Sequence, residues 1–159
     1  MIRIGHGYDV HRLVPERPLV LGGVCVPHSH GLLGHSDADV LVHAICDAIL
    51  GALGLGDLGR HFPDTDPAYA GIASTELLRH VIGLAAQNSY TIGNLDATII
   101  AQKPRLSEHI PAMADTISAI CSCSTAQVNI KATTTEKLGF EGRMEGISAH
   151  TVVLLHKRQ

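Results

Sequence analysis

Apolar residues recur at Val40, Leu41, Ala44, Ile45, Ala48, Ile49 and Leu53. That three-to-four spacing lines one side of an α-helix and predicts one over residues 37–54. Ser36 and Asp39 stand at capping-box spacing at its start. His43 falls opposite the apolar stripe, one helical turn after Asp39, so the pattern predicts a polar face carrying both. Leu77, Leu78, Val81, Ile82 and Ala85 predict a second helix with Ser74 as N-cap. Ile110, Met113, Ile117 and Ile120 predict a third, with Pro111 in the first turn, where its missing N–H costs nothing.

Strand patterns cover residues 2–11, 95–101, 128–133 and 147–156. Residues 18–27 read as a hairpin, because Gly22 and Gly23 supply the positive φ angles of a two-residue turn. Residues 57–67 are polar and turn-rich, which predicts an ordered loop. Strands and helices interleave without repeat or linker. The expected fold class is α+β: a single compact catalytic domain over residues 1–159, a mixed β-sheet with helices packed on one face, plus a small hairpin.

Composition narrows the function. The chain is 45% hydrophobic but only 3% aromatic, without Trp, and its net charge is −3. It lacks both the stacking platforms of a single-strand binder and the basic face of a duplex binder, so no nucleic-acid partner is expected. No apolar run is long enough for a membrane span. Four cysteines without a secretory signal predict reduced thiols in the cytoplasm. An anionic substrate would have to be neutralised locally, and eleven histidines direct attention to metal ions.

Asp9 and His11 lie two apart on a strand and so project from the same face, where both can chelate one ion. With His43 they form a His, His and carboxylate set, which suits zinc and leaves a fourth position open. Read alone, His43 is equally a hydrogen-bonded helix histidine. Residues 34–39 open the first helix, where free amides and the helix dipole favour phosphate oxygens and His35 and Ser36 add donors. Locally, Ser36 serves equally as a plain cap. Thr133, Thr134 and Thr135 offer hydroxyls and amides beside Glu136, a carboxylate suited to a hard cation. The alternative is a Thr-rich strand end capping a short helix.

Five segments in order strengthen the functional readings: Gly5-His6-Gly7-Tyr8-Asp9-Val10-His11, Gly34-His35-Ser36-Asp37-Ala38-Asp39, Gly56-Asp57-Leu58-Gly59, residues 61–67, and residues 131–140. Together they make the chain resemble the 2-C-methyl-D-erythritol 2,4-cyclodiphosphate synthase family over essentially its whole length. The resemblance implies a phosphorus–oxygen lyase of non-mevalonate isoprenoid biosynthesis. Its substrate is 4-diphosphocytidyl-2-C-methyl-D-erythritol 2-phosphate, whose 2-phosphate attacks the β-phosphorus and expels CMP.

By matching position, the resemblance makes Asp9, His11 and His43 zinc ligands. Glu136, with the diphosphate, would hold Mg2+ or Mn2+. His35 and Thr134 would stabilise the transition state, and Ser36 would help to hold substrate. Asp57, Leu58, Gly59, Phe62, Asp64 and Asp66 would surround the methylerythritol moiety. Ala101, Arg105, Leu106, Thr133, Thr134, Thr135 and Glu136 would form the cytidine and phosphate pocket. Phe140 and Arg143 match positions near a central channel of a homotrimer whose active sites lie between subunits. A bacterial cytoplasmic protein, or the mature form of a plastid one, is implied. Tyr8 stands where Phe is common in the family, His150 where Glu is expected near the trimer axis, and Arg105-Leu106-Ser107 varies the nucleotide loop.

Overall fold

The computed structural model describes residues 1–158. Its strands are β1 (Ile2–Pro15), β2 (Leu19–Leu21), β3 (Val24–Val26), β4 (His30–Leu32), β5 (Tyr90–Ile100), β6 (Val128–Thr133) and β7 (Gly146–Lys157). Its helices are α1 (Val40–Leu53), α2 (Leu58–His61), α3 (Ser74–Gln87), α4 (Ile110–Cys121) and α5 (Gly139–Gly142). A five-stranded sheet has the order β4-β1-β7-β5-β6, and β2 and β3 form the separate hairpin. β7 runs antiparallel to both β1 and β5, while β5 and β6 are parallel and joined through α4. The sheet is therefore mixed, as the sequence predicts.

Alternation along each strand sends one set of side chains into the core. Leu95, Ala97 and Ile99 on β5 and Ile147, Ala149, Val153 and Leu155 on β7 are buried beneath the helices. On the opposite face Ile4, Tyr8, Val10 and Val152 remain exposed. The helices thus cover one face and leave the other bare, as expected.

The close seat of α1 on β1 depends on two glycines. A Cβ at Gly5 would fall 1.8 Å from the Ala48 carbonyl oxygen, and one at Gly7 would fall 1.9 Å from that of Ala44. Only a residue without a side chain fits there, and Ala44 and Ala48 keep the helix side equally small. α1 also packs against β7 and α3, so nearly all of it is buried. Each large aliphatic side chain it submerges, such as Ile45 or Leu50, contributes about 1.5–3 kcal/mol.

That burial corrects the polar face expected for this helix. The helix begins at Val40 rather than 37, and Asp39, not Ser36, is its N-cap, its carboxylate accepting from Val42 N at 3.1 Å. The same carboxylate accepts from Gly22 N at 2.9 Å and Gly23 N at 2.7 Å, which ties the hairpin turn to the helix. An anionic side chain already occupies the positive end of α1, so the expected phosphate-binding N-terminus is not free. The hairpin turn matches expectation, with φ of 60° at Gly22 and 73° at Gly23.

Other boundaries shift for tertiary reasons. β1 continues to Pro15 because Leu13, Val14 and Pro15 change partner and pair with β4. Residues 57–67 are not wholly loop: α2 forms with Asp57 as cap, and a 3-10 turn begins at Pro67. Ser74 is the first residue of α3 rather than its cap, because its hydroxyl is engaged elsewhere. Ile82 and Ile120 are half-buried members of the core rim. β5 starts at Tyr90 and passes an irregularity between Ile92 and Asn94 before its regular run.

Candidate metal centre and two clefts

Asp9 and His11 share the β1 face that carries Gly5 and Gly7, and so point towards α1. His43 immediately precedes Ala44, whose carbonyl rests on Gly7. The tight helix–strand contact thereby brings residues from distant parts of the chain together. His11 Nε2 lies 2.9 Å from Asp9 Oδ2, His43 Nδ1 lies 3.1 Å from the same oxygen, and the two ring nitrogens are 3.2 Å apart. Around a tetrahedral zinc ion with bonds of about 2.05 Å, ligand atoms are about 3.3 Å apart. The three edges are close to that value, and the donor set is the one zinc favours.

The outward nitrogens of both imidazoles are engaged. His11 Nδ1 lies 2.8 Å from the Leu33 carbonyl oxygen, which can only accept, so Nδ1 carries the proton and Nε2 presents its lone pair inward. His43 Nε2 lies 2.8 Å from Ser74 Oγ and 3.2 Å from Ser36 Oγ. Ser74 Oγ in turn donates to the Asp37 carboxylate. With its proton committed there, the Ser74 oxygen accepts from His43 Nε2–H, leaving Nδ1 free to ligate. A ligand histidine held through its other nitrogen in this manner is the usual companion of a metal site.

Charge agrees with this arrangement. Burial pushes the Asp9 carboxyl up, but hydrogen bonds from His11 and His43 with their charges outweigh it and hold it at about 2. Burial pushes His11 down, yet the adjacent Asp9 carboxylate more than compensates and the imidazole is raised. A lone proton and a divalent cation therefore compete for the same position.

One cleft borders the cluster, and a larger one elsewhere shares none of its lining residues. The first, of about 250 Å³, is lined by His11, His35, Ser36, His43, Leu58, Phe62, Asp64 and Tyr69. Phe62 meets both Tyr69 and His80 edge-on, which makes a fixed apolar wall. His35 Nε2 lies 3.1 Å from the Asp66 carbonyl oxygen. The other cleft, about 640 Å³, is lined by Ala101, Lys103, Arg105, Leu106, Thr133, Thr134 and, unforeseen from the sequence, His28. Within the chain His35 and Thr134 thus sit in different cavities.

Phe140 borders a third hollow of about 240 Å³ with Val10, Arg12 and Glu145. The remaining candidates line neither main cleft. Asp57 accepts from Arg60 N, and Gly59 lies within α2. Thr135 is half-buried just before an exposed turn on which Glu136 adopts φ of 55°. Arg143 is paired with Glu145 at 3.0 Å. The sequence reading missed Ser74 as the partner of His43 and Asp37 as the partner of Ser74. Nothing in their spacing signals the contact, although a ligating histidine demands some partner for its second nitrogen.

The YgbB family model matches residues 2–156. A 2-C-methyl-D-erythritol 2,4-cyclodiphosphate synthase from Syntrophotalea carbinolica is 66% identical over 157 residues, covering 99% of this chain and 96% of the relative. One from Geotalea uraniireducens is 62% identical, covering 99% and 100%. The structure of IspF from Plasmodium falciparum in complex with CDP superposes with a TM-score of 0.88 at 37% identity, covering 99% of this chain and 97% of that one. The bifunctional IspDF of Campylobacter jejuni superposes at 0.95 with 42% identity; this chain spans 42% of that longer protein.

Proposed function

The chain belongs to the YgbB family, and from that premise we propose that it converts 4-diphosphocytidyl-2-C-methyl-D-erythritol 2-phosphate into 2-C-methyl-D-erythritol 2,4-cyclodiphosphate and CMP. It is a cyclodiphosphate synthase, and in this reading a divalent-metal-dependent phosphorus–oxygen lyase of the bacterial cytoplasm. The observation that carries it is the convergence of Asp9, His11 and His43, each imidazole oriented from behind, at the wall of a cleft.

The reaction forms a bond from a 2-phosphate oxygen to the β-phosphorus and breaks the bond from that phosphorus to the CMP oxygen. The nucleophile is already an anion, so no serine or cysteine needs activation. Positioning and charge compensation carry the catalysis. Asp9, His11 and His43 would hold Zn2+, which supplies Lewis-acid polarisation of phosphoryl oxygens. Glu136, together with the substrate diphosphate, would hold Mg2+ or Mn2+, which supplies further charge neutralisation there.

The chain's own groups do the rest. His35 and Ser36 donate to phosphate oxygens beside the metal centre, and Thr134 donates from the far side. Asp57, Asp64 and Asp66 accept from the erythritol hydroxyls, with Leu58, Gly59 and the Phe62 wall excluding water. Ala101, Leu106, Thr133 and Thr135 enclose the cytidine, and Arg105 answers the phosphate charge. Because the two halves of this constellation occupy different cavities, a complete site needs a second copy. The bare sheet face, with Ile4, Tyr8, Val10 and Val152 exposed, supports a homotrimer joined there. Phe140 and Arg143 then lie towards its axis.

Phosphorus-31 NMR of purified protein with substrate and Mg2+ tests the reading. The expected result is a cyclic diphosphate signal growing in step with CMP. Linear phosphates in place of the ring would replace the synthase with a hydrolase.

A further inference from the structure

β1 carries histidines on both faces. His11 serves the cluster beneath α1, whereas His6 projects from the bare side of the sheet. In the β1–β7 register Tyr8 stands opposite His150 and His6 opposite Val152, so His6 and His150 are diagonal neighbours. Their rings approach until His6 Nε2 and His150 Nδ1 are 3.1 Å apart, with the Tyr8 ring 4.7 Å from that of His150.

We propose that His6 and His150 form a further metal site, for a late first-row divalent ion such as Zn2+, Ni2+ or Cu2+, on the sheet face opposite the Asp9 centre. The pair offers two imidazole donors, the ligand chemistry these ions prefer. At bond lengths of about 2.05 Å, nitrogens 3.1 Å apart subtend about 100° at one ion. That angle lies between the right angle of square-planar or octahedral coordination and the tetrahedral angle. Water or a neighbouring donor can complete the shell because both histidines are exposed. Both side chains rise from paired central strands, so the bite is fixed by backbone hydrogen bonds and little side-chain freedom is lost on binding. The same two nitrogens, left alone, share a single N–H···N hydrogen bond, and an ion must displace that proton.

The site lies on the face through which the proposed trimer would associate. Both donors come from one chain, and in the trimer a neighbouring chain's group would take the place of water in the shell; the mass in solution tests the trimer separately. Ni2+ is the suitable probe, because Cu2+ oxidises thiols and Cys25 is exposed. Equilibrium dialysis against Ni2+, followed by elemental analysis, is performed on wild type, His150→Gln, His6→Gln and His43→Ala. Both sheet-face variants are expected to lose the same increment of bound Ni2+, up to one per chain, while retaining the increment that His43→Ala removes. Circular dichroism verifies that all remain folded, the sheet-face substitutions being at exposed positions. Proton NMR of the wild type should show Ni2+ broadening the His6, Tyr8 and His150 ring signals. Unchanged Ni2+ stoichiometry in both sheet-face variants, or ring signals untouched by Ni2+, would overturn the proposal.

Discussion

Replacing Gly7 by alanine probes the contact that assembles the metal centre. The new Cβ would lie 1.9 Å from the Ala44 carbonyl oxygen and 2.8 Å from Ala48 N, both backbone atoms that no rotamer change can move. Restoring an ordinary separation of about 3.4 Å requires α1 to withdraw by about 1.5 Å. Over-packing of this kind costs about 1–3 kcal/mol, which a domain of ordinary stability survives. His43 adjoins Ala44 and must travel with it, stretching the 3.1 Å separation between His43 Nδ1 and Asp9 Oδ2. A tetrahedral ion with bonds of about 2.1 Å spans only about 3.4 Å between ligand atoms. Zinc affinity should therefore fall by roughly 100-fold, as read by isothermal titration, alongside a lower urea midpoint. Gly83→Ala is the control, since nothing lies within 4 Å of a Cβ there; within α3 it should stabilise by about 0.5–1 kcal/mol. Gly7→Ala with wild-type zinc affinity would refute the argument that this glycine places His43.

Ser74→Ala should weaken zinc binding by about 10–100-fold with little loss of fold, and Ser74→Thr should restore much of it; titration of both variants checks this. Asp39→Ala orphans the amides of Gly22, Gly23 and Val42 and should destabilise the protein by about 2–4 kcal/mol, measured by urea unfolding, while the zinc ligands stay intact. Two pH effects follow from opposite shifts. Asp9 is depressed to about 2, so in metal-free protein its contribution, about 2 kcal/mol, is complete above pH ~4 and is lost as pH falls towards 2. His11 is raised, so its contribution to metal-free stability is complete below its unfolded pKa of about 6.5 and is lost as pH rises through the higher folded value. Zinc binding must expel that proton and should strengthen over the same rise; a flat zinc affinity between pH 6 and 8 would contradict the His11 assignment.

What the sequence disclosed tracks how local each determinant is. The Gly22-Gly23 turn, the strand pairing of Asp9 with His11 and the apolar stripe of α1 are short-range patterns, and each has its structural counterpart. Asp39 departs from the polar face its spacing predicts because its partners, the turn amides, are distant in sequence and turn an apparent surface acid into a buried cap. The surroundings of His43 differ from the expectation for the same reason: a stripe shows which side of a helix is most apolar, not that the other side will also be covered. Ser74 read as a cap because hydroxyls favour caps, while its actual engagement with His43 and Asp37 depends on how α3 meets α1. β4 left no usable pattern, being three residues long and paired only after β1 outruns β7.

The account depends most on a cation seated among one carboxylate and two imidazoles. Diffraction from zinc-soaked crystals, collected on either side of the zinc absorption edge, addresses this directly. A single dominant anomalous peak among this trio, about 2.0–2.2 Å from Asp9 Oδ2, His11 Nε2 and His43 Nδ1, is the expected result. Full-occupancy zinc bound elsewhere, with no anomalous density between β1 and α1, would contradict it.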